Sequence, residues 1–342
     1  MSSFLQFRTV YDSKIRFAKN IGVPRKKYYC KNRTQINTSM ELYNYIKSYI
    51  EHEVKGCKAA LALSSGIDSA IMAKFMPKGS IAYTFKCVVP DVDVTDETIK
   101  AKLICEENGL EHRIIEIYWE DFDKYIPILM KNKNAPIHSI EVQIYKAALQ
   151  AKQDGFDKMI FGESADIVFG GIDKLLLKDY TLGEFVERYS FVMPYKALKE
   201  HVVITEPYKL WCKNDGYMDT HGFINNVFYA EAINTYQNAC ESANIAYLSA
   251  FSTLTHNSLD IARIRRGDSK YLVREVFKHL YPNSIKTPEK IPMPRPMEEW
   301  FKNWGGPRRP EFWPNCHINM TGDQKYYIWI LEKFLDQIER DS

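Results

Sequence analysis

The sequence has no C-x-x-C pair, no apolar stretch approaching a membrane span, and no concentrated stripe of one charge. Each absence removes a class of protein. Seven cysteines, at positions 30, 57, 87, 105, 212, 240 and 316, form an odd set without paired spacing. A disulfide framework, a structural zinc site and a dithiol redox motif are therefore poorly supported. The N-terminus, MSSFLQFRTVYDSKIRF, lacks the apolar core of a secretion signal, so a reducing cytoplasm is the expected location and no membrane contact is expected. A formal net charge of +3 is too small to argue for a nucleic-acid partner. Arg263, Arg265 and Arg266 make the nearest approach to a basic cluster, and read as a solvated helix edge. What is present is an ordinary balance, 45% apolar and 26% charged, which suits a soluble chain with a real core. Its 342 residues fit two domains, or one with a substantial extension.

Residues 1 to about 37 are polar, basic and short of periodic structure, and read as an extension lying on the main domain. Thr38-Ser39-Met40-Glu41 has capping-box form and opens a helix in which Leu42, Tyr45, Ile46, Tyr49 and Ile50 share a face. The wholly apolar run Ala59-Ala60-Leu61-Ala62-Leu63 suits a parallel strand covered on both faces. Beyond it the spacing predicts a helix over 69–75, a strand over 80–89, a helix over 96–108 ending at Gly109, and a strand over 111–117. A helix over 140–153 and a fourth strand over 158–161 complete the alternation. This is the signature of a doubly wound, mostly parallel α/β sheet, in which ligands sit at the carboxyl ends of the strands. From about 175 onward the pattern turns mainly helical, with apolar periodicity near 224–240 and 258–280. The segment 288–314 is rich in proline and tryptophan, and a last amphipathic helix is expected over about 323–338.

Two glycine-bearing loops fall at expected strand ends. The first, Ser64-Ser65-Gly66-Ile67-Asp68-Ser69, offers backbone N–H groups, several hydroxyls and a helix start, which together make an anion cradle. Asp68 would repel phosphate on its own. It makes sense as a holder of Mg²⁺, which takes one or two carboxylates along with phosphate oxygens. A Walker loop would need a lysine before the hydroxyl residue, and none is present.

LALSSGIDSA resembles the SGGxDS loop of the ATP pyrophosphatases, a superfamily that includes asparagine synthetase, β-lactam synthetase and the NAD synthetases, with Ser65 where the first glycine usually stands. The second loop narrows the resemblance. Gly162-Glu163-Ser164-Ala165-Asp166-Ile167-Val168-Phe169-Gly170-Gly171 is similar to the GEGSDExFGG segment of the asparagine synthetase family's synthetase domain. The match puts Glu163 on the family's catalytic acid/base and Asp166 on its second magnesium ligand. Ile167 replaces an acidic residue. Tyr83-Thr84-Phe85 with Asp96-Glu97 resembles the second strand and its helix, with Cys87 facing the adenine; a buried small apolar role fits Cys87 equally well. Ala246 to Phe251 resembles a further segment, and Lys270-Tyr271-Leu272-Val273-Arg274 with Lys290 resembles the family's K-x-x-LR…K pattern.

The resemblance implies an adenine nucleotide α-hydrolase-like domain over 56–342, with a nucleotide-binding part at 57–175, a mainly helical substrate part at 176–342, and residues 1–55 as an N-terminal extension and helix. It implies ATP and Mg²⁺, with the nucleotide near Leu63, Cys87, Phe161 and Gly162 and its phosphates on Ser64, Ser65, Gly66, Asp68 and Ser69. Asp68 and Asp166 would hold the metal, and Glu163, Lys270 and Lys290 would serve the reaction. That reaction would adenylate a small-molecule carboxylate, release pyrophosphate and transfer ammonia or an amine. About 55 residues precede the first strand, too few for the family's glutaminase, so a lone synthetase domain is expected, with a separate glutaminase subunit as one source of ammonia. Sugar or nucleotide amidation, thiolation by the same chemistry, and a silent nucleotide-binding scaffold are the alternatives.

Overall fold

The computed structural model describes residues 1–12, 14–19, 21–25, 32–282 and 293–340. Lys290 and Cys30 lie outside these residues.

Five strands form one parallel sheet: β1 (Ala59–Ala62), β2 (Ile81–Cys87), β3 (Glu111–Ile117), β4 (Lys158–Ile160) and β5 (Ala246–Leu248). Their order is β3-β2-β1-β4-β5. Four of the five were expected. β5 is the addition; three residues inside a helical region give too little periodicity to announce a strand.

Strand residues alternate between two cores. Ala60, Ala62, Tyr83 and Phe85 pack into the layer that also holds Phe122, Val142, Tyr326 and Leu331. Ala59, Leu61, Leu63 and Ala82 face Leu42, Ile71, Ile104 and Val273. Both faces are thus covered, which is why β1 could be wholly apolar. The helices α2 (Ser39–Val54), α3 (Ile67–Ala73), α4 (Thr98–Asn108), α6 (Glu141–Gln153) and α10 (Gly322–Arg340) match the expected segments to within two residues. The Thr38 capping box is present, with the Glu41 N–H donating to Thr38 and the Glu41 carboxylate accepting from the Thr38 N–H. Gly109 ends α4 at φ 66°.

Four features go beyond the reading of the sequence. The N-terminal extension begins with a short helix, α1 (Ser2–Phe7), whose Phe4, Leu5 and Phe7 are buried; six residues are too few for a helical period to emerge. A helix α5 (Trp119–Lys133) runs through Pro127, a residue that normally breaks such a pattern. The segment 224–240 starts as a π-helix over Ile224–Phe228 before continuing as α8 (Tyr229–Ser242), with α7 being the short turn Ala165–Val168. Finally, 258–280 is not one helix. It breaks around Gly267 and Lys270, both at positive φ, before α9 (Tyr271–Leu280) begins.

The strand order reverses direction between β1 and β4. That switch point leaves a crevice at the carboxyl ends of these two strands. No helix among the described residues is long and apolar enough to cross a membrane.

Candidate active site

A cavity of about 400 Å³ opens at the switch point. Both glycine-bearing loops line it, and so does the turn at Lys270. The first loop is tied to itself. Ser64 Oγ lies 2.9 Å from Ser69 Oγ and accepts from the Gly66 N–H, while the Ser64 N–H donates to Ser69 Oγ. These bonds hold Gly66 and Ile67 at the start of α3 facing the crevice. Leu63, Ser64, Gly66, Asp68, Ser69, Phe161 and Gly162 all line the cavity.

Ser65 does not. It is buried, and both its N–H and its hydroxyl donate to Glu97 Oε2, at 3.0 and 3.2 Å. Cys87 is buried as well, with its thiol 3.2 Å from the carbonyl of Pro294; burial pushes that thiol up to about 12. Of the two roles the sequence allowed for Cys87, this placement matches the small buried one.

Two carboxylates from two strand ends meet on one cation. Lys270 Nζ lies 2.5 Å from Asp68 Oδ2 and 3.1 Å from Asp166 Oδ1. Burial disfavours the ammonium, but the two aspartates outweigh it and raise its pKa. Close approach is what the glycines supply. A Cβ on Gly171 would sit 2.0 Å from Asp166 Oδ1 and 2.5 Å from Lys270 Cδ. One on Gly162 would sit 2.9 Å from the Ser69 nitrogen.

Glu163 lies beyond this triad. Its Oε2 accepts from Ser164 Oγ at 2.6 Å and Tyr247 Oη at 2.7 Å, while Oε1 is buried and has no hydrogen-bond partner among the described residues. Burial raises its pKa to about 7; the two hydroxyls pull it down, and Glu231 and Asp166 push it up. A carboxyl with that value can take or give a proton near neutrality.

The inner wall of the cavity comes from residues the sequence did not mark. Arg8 follows α1, and Phe228, Glu231, Ala232, Thr235 and Tyr236 project from the π-helix and α8. Arg8 Nη2 donates to Glu231 Oε2 at 3.2 Å. A glutamate on an amphipathic helix and an arginine in a polar N-terminus look like solvent-facing residues, so no local signal singled them out. Glu97 stood inside the resembling segment but without a role.

The asparagine synthase family model matches residues 51–260, more than half of the chain. The chain belongs to the asparagine synthase family. Arg8 and Lys270 lie outside the matched stretch. No curated protein matches the chain. Among solved structures, the NH3-dependent NAD synthetase from Campylobacter jejuni is similar at 15% identity and TM-score 0.27, over 40% of this chain and 61% of that one. The chain thus spans about three fifths of that structure. The NMN synthetase from Francisella tularensis is similar at 11% identity and TM-score 0.29, covering 75% and 100% of the two chains. The U34-tRNA thiolase NcsA from Methanococcus maripaludis, with its 4Fe-4S cluster, is similar at 15% and 0.27, covering 78% and 91%. Likenesses this distant say nothing about substrate.

Proposed function

We propose that this enzyme adenylates a substrate carboxylate with ATP, releases pyrophosphate, and passes the activated acyl group to ammonia or an amine. The observation that carries this reading is the convergence of Asp68 and Asp166 on the Lys270 ammonium at the end of the phosphate loop, beside a carboxyl poised near pH 7.

The residues divide the work. The Ile67 N–H at the start of α3, with the hydroxyls of Ser64 and Ser69, cradles the outgoing pyrophosphate, while the Gly66 N–H is given to Ser64 Oγ. Lys270 supports the charge that gathers as the bond to the α-phosphorus changes hands. Asp68 and Asp166 fit Mg²⁺, because they already share one cation and their oxygen donors suit a hard ion. Among the described residues no group of three or more His, Cys, Asp or Glu stands ready to hold a metal, so nucleotide oxygens would share the ion. When bound, Mg²⁺ supplies charge neutralisation on the phosphates. Glu163 Oε1 is free to take the proton that the nitrogen nucleophile must lose.

The test is a nucleotide assay with a panel of carboxylates. The expected products are AMP and pyrophosphate, with carboxylate-dependent exchange of labelled pyrophosphate into ATP. Formation of ADP and phosphate instead would overturn the adenylation reading. Glu163→Gln is expected to keep exchange and lose amide formation; if both steps survive unchanged, Glu163 is not the base.

A further inference from the structure

Lys270 stands where an ion shared by the two aspartates would stand. Asp68 lies in the first turn of α3 and Asp166 in the first turn of α7. Lys270 Nζ bridges them, 2.5 Å from Asp68 Oδ2 and 3.1 Å from Asp166 Oδ1, and its side chain is only 7% exposed. Asp68 Oδ1 and Asp166 Oδ1 are both closed to solvent. The lysine stem also lies against Gly171, where a Cβ would meet Lys270 Cδ at 2.5 Å. Mg²⁺ takes its oxygens at about 2.0–2.1 Å, so an ion bridging these carboxylates leaves no seat for the ammonium between them.

Charge points the same way. Two carboxylates and one ammonium nearly balance. A divalent cation added beside the ammonium would crowd like charges into a buried site, where they repel far more than in water. Nucleotide phosphates supply the missing negative charge and a second seat for the ammonium. The backbone that carries Lys270 has room to follow. Gly267 and Lys270 both take left-handed conformations, φ 97° and 55°, and nothing lies within 4 Å of a Cβ built on Gly267. A lysine held in that region is strained, and here its two ion pairs hold it. We propose that Lys270 is a stand-in for the metal. It closes the aspartates to a divalent cation while phosphates are absent, and leaves them for the phosphates when metal and nucleotide bind together. Metal and nucleotide are thereby coupled, and the metal alone binds poorly. The inference rests on the function proposed above for the identity of the metal site, and adds an order of events to it.

The test titrates Mn²⁺, a spectroscopic substitute for Mg²⁺, into the full chain without nucleotide and reads free Mn²⁺ by electron paramagnetic resonance. Lys270→Met and Lys270→Gln remove the ammonium, whereas Lys270→Arg keeps a cation there. Both neutral variants are expected to bind one Mn²⁺ at least about tenfold more tightly than the parent, a coupling of ordinary size. Lys270→Arg is expected to bind no better than the parent. Asp68→Asn added to Lys270→Gln should remove the gain, which locates the ion. Equal affinity in parent and neutral variants, the same gain in Lys270→Arg, or a gain that survives Asp68→Asn would overturn the proposal. Crystals of the parent with Mg²⁺ and α,β-methylene-ATP decide the matter even if the variants fold poorly. Nζ is expected off both aspartates and on phosphate oxygens; Nζ still bridging them would overturn the proposal. AMP formation in the nucleotide assay, together with Mn²⁺ binding indifferent to Lys270, would refute the order of events and leave adenylation standing. The gain without AMP formation would do the reverse.

Discussion

Glu163→Gln tests the buried carboxyl without any knowledge of the substrate. Burial raises the carboxyl from 4.5 to about 7, with Glu231 and Asp166 adding to the shift. In the unfolded chain the same carboxyl returns to its ordinary value. Between these two values the folded state holds a proton that the unfolded state has released, so raising the pH favours unfolding. The stability that Glu163 allows is therefore complete below about 4.5 and is lost as the pH rises through about 7. A shift of that size is worth about 3 kcal/mol. Glutamine keeps the shape and an acceptor for Ser164 and Tyr247 but does not titrate. Its own misfit, an amide NH₂ where Oε1 stood, is a constant offset at every pH. The difference in melting temperature between variant and parent should therefore move in the variant's favour by about 4 °C between pH 4.5 and 8.5, at about 2.1 cal/mol/K per residue of unfolding entropy. Differential scanning calorimetry across that range is the assay. A difference that stays flat with pH would refute both the buried, proton-holding carboxyl and the acid/base role built on it.

Lys270→Met leaves Asp68 and Asp166 facing each other without their shared cation; breaking such a buried arrangement costs about 3–5 kcal/mol. Urea denaturation at pH 8 should show that loss, and Mg²⁺ with ATP should restore part of it. Gly171→Ala should weaken ATP binding at least tenfold by calorimetry, because the added methyl meets Asp166 Oδ1 and Lys270. The control is Gly183→Ala, where nothing lies within 4 Å of the new Cβ in a short helix, and which should stabilise by about 0.5–1 kcal/mol. Ser65→Ala should change ATP affinity less than about threefold by the same assay, since both donors of Ser65 are directed to Glu97 rather than the cavity.

Much of the sheet was legible because its signals are local. The apolar run at Ala59–Leu63, the capping box at Thr38 and the helix stop at Gly109 each act within a few residues. The outer half of the site was legible for a related reason. A phosphate cradle must be a loop joining a strand to a helix, and its hydroxyls, glycine and carboxylate therefore stand together in sequence. Lys270 could be found only through resemblance, because it meets Asp68 from 202 positions away. Ser65 shows the limit of reading residue types. A serine in a phosphate loop can donate to phosphate or to a neighbouring carboxylate, and only the packing of Glu97 under the loop decides between them.

The inner half of the site was illegible because its meaning is entirely tertiary. Arg8 and Glu231 are 223 positions apart, and each looks like a surface charge in its own segment. They meet because Phe4, Leu5 and Phe7 anchor α1 in the core, which fixes where the chain emerges at Arg8. Arg8 itself takes a left-handed conformation, φ 57°, to end that helix. On the other side, the π-helix over Ile224–Phe228 leads directly into α8, which carries Glu231, and both line the cavity; π turns of this kind are frequent at functional sites. The pair lies partly outside the stretch matched by the family, with Glu231 inside it and Arg8 before it. Lys270, at the phosphate end, lies beyond that stretch as well, so each half of the cavity joins residues within it to one outside it. Substrate choice is expected to follow Arg8, Glu231 and the π-helix, and nucleotide chemistry to follow the strand ends.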